Sequence, residues 1–350
     1  MSSTGGSSSS AALSCLPKEV TEVGGIYAQL ECCKNSAKVV KKSSEPDDAA
    51  RYYQLGIDEA GRGPVFGPMV YGAAISDIRK SDALGKMGFN DSKQLTEAKR
   101  SELFEGIHNE ALKDDGVLGF AVHVLTAHEI STKMLRRNKV NLNRISHETA
   151  IGLIEHALSE GINVKEVYVD TVGDPERYQN KLSSIFKRRG VDTIVVCKKA
   201  DAIYPICSAA SICAKVIRDR LVEEEISYYP EGEGVATLCR SVKVGSGYPG
   251  DAQTVEWLEK VVDPVFLFPR QIRFSWSTIE EIEKKRALEF DWHDDEYLEG
   301  NDENRPGDNN SSGRRASQPS LQSMFNAAKR ARRKIFTSRG MLIEDDREEL

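Results

Sequence analysis

Between residues 51 and 274 the chain alternates short apolar, β-branched runs with longer stretches of helical period, and this alternation restricts it to one α/β domain built on a sheet. Three early runs, 52–58, 69–76 and 117–124, read as strands without a regular crossover helix between them, so this half is expected to be antiparallel. Residues 145–160 carry Ile151, Ile154, Ala157 and Leu158 on one helical face and lead into a strand at 164–170. A second such unit runs from a helix at 175–189 to a strand at 191–197. Crossover helices imply parallel pairing, so the expected architecture is a mixed five-stranded sheet flanked by helices. Residues 203–228 are expected to be helical on the far side despite Pro205.

The flanks differ from this domain, which is assigned to 49–275. Residues 1–48 hold Ser, Gly and Lys clusters that bury too little apolar area to offset the entropy of ordering, and are expected to form a disordered arm. An acidic, helical extension is expected at 276–300, followed by a disordered tail at 301–350 whose basic residues are segregated from its acidic ones. No run approaches the about 18 to 20 apolar residues that span a bilayer, and the start lacks a basic-then-apolar signal pattern, so neither membrane nor secretion is expected. Seven cysteines form no CxxC pair and no zinc-type cluster, and read as reduced thiols of an intracellular protein. The net charge of −6 does not exclude a polyanionic partner, because binding follows local patches.

The chemistry is concentrated at strand ends. Asp58, Glu59, Asp170 and Asp201 each stand at or just beyond the end of an apolar run (QLGID, EVYVD, TIVVCKKAD). Strand ends of an open sheet converge on one edge, where such folds place their sites. A single aspartate there is commonly a cap or a solvated terminus. Four together would repel one another unless a cation compensates, and an all-oxygen set favours Mg²⁺ or Mn²⁺ over zinc. Neighbouring strand residues face opposite ways; if the strand ends at Asp58, the turn that begins at Ala60 frees Glu59 to swing back to the same site.

Next to this pair lies Gly61-Arg62-Gly63-Pro64, where glycines allow close approach to a hydroxyl or phosphate and Arg62 adds charge. Tyr248, set among the turn residues of GSGYPG, is expected to point outward instead of into the core. Lys93, Lys198, Lys199 and Lys215 are candidate phosphate contacts, and each also fits an ordinary surface lysine. His108, His123, His128, His147 and His156 form no metal-type pair.

The stretch GIDEAGRGPVFGPMVYG at 56–72 resembles the signature of the type 2 ribonucleases H. Further matches follow in order: Asp91-Ser92-Lys93 with Leu95, NLNRISHETA at 141–150, VYVDTVGD at 167–174, KKADAIYPICSAASICAKVIRD at 198–219 and GSGYPGD at 245–251. FSW at 274–276 and the acidic stretch around Trp292 resemble the eukaryotic members specifically. The resemblance covers roughly residues 52 to 295. It implies a ribonuclease H-like fold and two Mg²⁺ ions, with Mn²⁺ as an alternative, held by Asp58, Glu59, Asp170 and Asp201. It also implies in-line hydrolysis 5′ of ribonucleotides in RNA/DNA hybrids and in duplex DNA, leaving 5′-phosphate and 3′-hydroxyl ends. Gly61, Arg62, Gly63 and Tyr248 would read the ribose 2′-hydroxyl. The resemblance further implies two non-catalytic partner subunits, a nuclear location, and a role in primer removal and ribonucleotide excision. A recombinase or junction nuclease would not need the glycine loop with Tyr248. A non-catalytic scaffold would tolerate loss of one carboxylate, and a glycosidase needs two carboxylates and no metal.

In the tail, Gln318, Leu321, Met324 and Phe325 resemble the short motif by which replication and repair proteins dock on the sliding clamp, with Met324 departing from its first aromatic. A one-turn helix would place Leu321, Met324 and Phe325 on one face. Lys329, Arg330, Arg332, Arg333 and Lys334 follow as a candidate nuclear-localisation signal or phosphate contact.

Overall fold

The structure is a computed structural model that describes residues 20, 24–34, 51–89, 95–227, 244–263, 265 and 267–287. Its sheet has six strands: β1 (Gly25–Gln29), β2 (Tyr53–Ala60), β3 (Met69–Asp77), β4 (Leu118–Leu125), β5 (Val164–Asp170) and β6 (Thr193–Cys197), in the order β1-β4-β3-β2-β5-β6. The first four pair antiparallel, while β5 joins β2 in parallel and β6 joins β5 likewise. The mixed sheet stands as expected, with one strand more. That strand, β1, lies in the segment assigned to a disordered arm. It docks because Tyr27 meets Phe120 on one face, with ring centroids 6.2 Å apart, while Ile26 and Ala28 pack on the other. Leu30, Cys32 and Cys33 are buried behind it.

The longer helices are α1 (Glu97–Ala111), α2 (Ala127–Leu135), α3 (Leu142–Ser159), α4 (Pro175–Phe186), α5 (Pro205–Ser227), α6 (Ala252–Val261) and α7 (Ser277–Arg286). Thr96, Thr126, Asn141, Asp174 and Asp251 cap α1, α2, α3, α4 and α6, each accepting from an amide of the first turn. Pro205 does not interrupt a helix. It opens α5 and forces the preceding Tyr204 into an extended conformation (φ −112°, ψ 115°), which separates the short helix Ala200–Ile203 from α5.

Two apolar layers sandwich the sheet. Leu55, Ile57, Val167 and Val169 point to α3 and α4, whereas Val70, Phe120 and Val122 point to α1 and α5. The α5 backbone lies directly on the sheet at two glycines. A Cβ on Gly56 would stand 2.6 Å from the Ile206 carbonyl oxygen, and one on Gly72 would stand 2.3 Å from that of Ala210. A third cluster, with Phe66, Trp257, Leu258, Ile272 and Ile279, joins α6 and α7 to the loop after β2. The helix expected in the extension is therefore present as α7. The rest of the extension and the tail, including the clamp-like motif and the basic run, lie outside the described residues.

Candidate active site

Strand β2 does not stop at Asp58. Its ladder with β3 continues through Glu59 opposite Tyr71 and Ala60 opposite Val70, because Ala60 and Val70 are both buried apolar residues. No turn swings Glu59 round. Asp58 faces the α5 layer and Glu59 the α3 and α4 layer, as alternation requires. Asp58 is 5% exposed and accepts the Glu59 amide at 2.7 Å. Ser211 of α5 also hydrogen-bonds to it. Asp170 ends β5, and its Oδ1 accepts the Ala200 amide at 3.1 Å, which ties this strand end to the turn that carries Asp201. That turn passes through Lys199 in the left-handed region (φ 57°), a conformation that costs about 1 kcal/mol or more for a side-chain residue and sets Asp201 inward, 3% exposed.

Burial, then the charge of Glu59, and further that of Asp170, push the Asp58 carboxyl well above the usual carboxylate range. On the opposite face, burial and then Glu59 raise the Tyr71 and Tyr178 hydroxyls. Negative charge is therefore concentrated at this edge, and the donors are all oxygens, as a hard divalent cation requires. Among the described residues, however, no group of three or more His, Cys, Asp or Glu side chains is arranged to hold a metal ion. The carboxylates share an edge without forming a closed ligand sphere, because β2 sends two of them to opposite faces and like charges repel.

The glycine loop is organised from below. Arg273, fully buried, donates through Nε to the Gly67 carbonyl (3.0 Å), through Nη1 to that of Arg62 (2.9 Å) and through Nη2 to that of Gly61 (2.6 Å). Trp276 Nε1 donates to the Gly63 carbonyl at 3.0 Å. A trans peptide places N–H opposite C=O, so the amides of Arg62 and Gly63 face away from Arg273. Gly61 has φ +77°, and a Cβ there would meet the Pro68 carbonyl oxygen at 2.7 Å. At Gly63 a Cβ would strike the Tyr248 ring at 2.8 Å, so the ring lies on the loop backbone. Tyr248 is 52% exposed, as its turn residues predicted. Its own turn is fixed by Asp251, which accepts the Ser246 amide and hydroxyl, both at 2.7 Å, and these bonds with that of Gln253 lower its carboxyl to about 2.

Arg62 donates to Asn143 at the start of α3. Lys198 and Lys199 are exposed beside Asp201. Lys215 is half-buried and paired with Asp219 at 2.6 Å, so it reaches a phosphate only by giving up that partner. Lys93 lies outside the described residues. Sequence reasoning missed Arg273 and Arg218. The signal for Arg273 was one cation between Ile272 and Phe274, whereas Arg218, with Nη1 3.2 Å from Asp219, lies under Gly61 and close to Gly247.

Two outcomes follow for the metal-free protein. Because folding raises the Asp58 pKa, its ionised form costs stability at neutral pH, and protonation restores that stability as pH falls. In EDTA, Asp58→Asn should raise the melting temperature at pH 7.5 by several degrees, at about 2–4 °C per kcal/mol, and the gain should shrink toward pH 4 in calorimetry. Arg273→Gln should strand buried carbonyls and lower stability by about 3 kcal/mol in denaturant titration. A loss below about 0.5 kcal/mol would show that the loop holds its shape unaided.

Comparison with known proteins shows the family. The family model described as Ribonuclease HII matches residues 55–279, more than half of the chain. The ribonuclease H2 A subunit of Dictyostelium discoideum is 45% identical over 249 residues, covering 70% of this chain and 82% of that protein. Its Homo sapiens counterpart is 46% identical over 240 residues, covering 69% and 76%. Among solved structures, the ribonuclease H2 of Pyrococcus horikoshii OT3 superposes with a TM-score of 0.53 at 34% identity, covering 67% of this chain and 98% of that one. The Archaeoglobus fulgidus RNase HII solved as a PCNA:RNase HII complex gives 0.52 at 29% identity, covering 65% and 96%. With its carboxylate edge, its clamped glycine loop and these relatives, the chain belongs to the ribonuclease HII family, among the eukaryotic ribonuclease H2 A subunits.

Proposed function

We propose that this protein is the catalytic subunit of an endoribonuclease that hydrolyses the phosphodiester 5′ of ribonucleotides, in RNA/DNA hybrids and at single ribonucleotides in duplex DNA. The names of its relatives support ribonuclease H activity on hybrids. The observation that carries the finer reading is Tyr248 lying on Gly63 while the amides of Arg62 and Gly63 face outward. A ribose seated on the ring would bring its 2′-hydroxyl to those amides, and a deoxyribose would leave them unmatched. Asp58, Glu59, Asp170 and Asp201 would hold two Mg²⁺ ions, or Mn²⁺, at the adjoining edge. Such ions supply a hydroxide-like nucleophile and stabilise the leaving 3′ oxygen. Arg62, fixed by Asn143, and the exposed Lys198 and Lys199 would hold phosphates.

The naming of these relatives as A subunits supports assembly with further subunits, which we take as two non-catalytic partners. The archaeal neighbour's complex with PCNA favours a second element, docking of the tail motif Gln318 to Phe325 on a sliding clamp. Both fit a nuclear protein acting in primer removal and ribonucleotide excision.

The test is a nicking assay on a DNA duplex with one embedded ribonucleotide, using the chain assembled with its partner subunits. Cleavage on the 5′ side is expected, together with its loss to below a few per cent in Asp170→Asn at saturating Mg²⁺. Tyr248→Ala should lower cleavage at single ribonucleotides far more than duplex affinity, which phosphate contacts dominate. Equal weakening on all-DNA duplex would make Tyr248 structural. For the tail, a peptide of residues 314–336 should bind the clamp at micromolar strength, about −8 kcal/mol. Isotherms unchanged by Leu321→Ala/Phe325→Ala would leave it a localisation segment.

A further inference from the structure

One face of the α3 N-terminal half touches three separate parts of the site. Asn143, Ser146 and His147 lie at helical spacing i, i+3 and i+4. Asn143 accepts from Arg62, and a Cβ on Gly173, in the loop after Asp170, would stand 3.5 Å from its Nδ2. Ser146 lies beside the Tyr71 hydroxyl, and both oxygens are buried. His147 stacks on Tyr178, with centroids 3.8 Å apart and planes 12° apart, and its Nε2 lies 3.1 Å from the Val172 carbonyl, two residues beyond Asp170.

These contacts meet at the carboxylates from both sides. The hydroxyls of Tyr71 and Tyr178 both feel the charge of Glu59, so the two tyrosines wall its side of the strand. The Val172 carbonyl can only accept, so the imidazole proton sits on Nε2. Burial depresses the basicity of His147, which leaves the ring neutral at pH 7 with that single donor committed. The ring is thus fixed in two directions, by its face on Tyr178 and by its edge on the Asp170 loop.

We propose that His147 is a positioning residue that holds the Glu59 wall and the Asp170 loop at a set separation, so that carboxylates from opposite faces of the sheet can share cations. The inference rests on the reading that these carboxylates hold divalent metal. Without His147 the loop after Asp170 loses its tie to α3, and the Tyr178 wall loses its backing. The carboxylates remain, but the spacing that lets them act together is no longer imposed, as when outer partners of metal ligands are removed.

The test is Mn²⁺ titration by calorimetry on the full-length chain, with melting temperature in EDTA as a control. His147→Phe keeps a ring on Tyr178 but has no donor for Val172. It should bind Mn²⁺ about tenfold more weakly while melting within a few degrees of wild type. His147→Gln restores an N–H at the reach of Nε2 and should recover most of that affinity. In cleavage assays the Phe variant should need more Mn²⁺ for half-maximal rate and regain the wild-type rate at saturation. Wild-type Mn²⁺ affinity in His147→Phe would overturn the proposal, as would a Gln variant no better than Phe. Asp170→Asn in the same titration separates the premises: unchanged Mn²⁺ binding there would remove the carboxylate reading itself, and the inference with it.

Discussion

The active site depends on one buried guanidinium. Arg273 lies 206 residues beyond Gly67 in the chain, yet its donors take the carbonyls of Gly61, Arg62 and Gly67. Each carbonyl left without a partner in such a place would cost about 1–3 kcal/mol, and a buried cation without acceptors would cost more. Neither half is stable in this form alone. A glycine loop with open conformational choices becomes a single shape only when the segment around Ile272 docks on Phe66, where the two form an antiparallel bridge. The backbone reinforces this, since Arg273 N–H donates to Val65 and Gly67 N–H to Gln271, both at 2.9 Å. Closing so long a loop adds little entropy cost beyond that of a shorter one, so a few buried hydrogen bonds and the apolar cluster beneath suffice.

A second constraint comes from packing. Gly56 and Gly72 let the α5 backbone approach the sheet more closely than any side chain would permit. That approach brings Ser211 to Asp58 and, about two turns further along α5, Arg218 to Gly61. The helix therefore acts as both core and site. Its buried side chains, among them Ile212, Cys213 and Ile217, fix its register on the sheet, and that register places the hydroxyl beside Asp58 and the Arg218 guanidinium under Gly61.

Much of this was legible in the sequence where one physical signal acted alone. β5 coincides with the apolar run at 164–170, and β3 extends its run by one residue. The acidic residues stood out because a charge at or just beyond an apolar run is costly to bury, and three runs followed by acidic residues point to a common cause. β1 was not, because five residues in a polar neighbourhood carry too short a period, and only the facing Phe120 makes burial of Tyr27 favourable. Glu59 was misplaced because a Gly-rich sequence suggested an early turn, whereas cross-strand burial of Ala60 and Val70 kept the ladder going. Arg273 and His147 have partners far along the chain, so a lone cation between Ile272 and Phe274 could not say what it would bind.

The position of Glu59 has a physical logic of its own. Two adjacent strand residues are separated by the sheet itself, so Asp58 and Glu59 each face a different layer instead of each other. The repulsion between them raises the Asp58 pKa, but burial is the larger cause, so the cost of assembling the edge lies chiefly in desolvation and less in mutual charge. A cation at the edge would offset both, because it would attract each carboxylate without either leaving its layer. The arrangement also means that the two layers must be kept in register with one another, since β2 fixes Asp58 and Glu59 as neighbours along the chain and the packing of α3, α4 and α5 around the strand sets how their carboxylates are aimed.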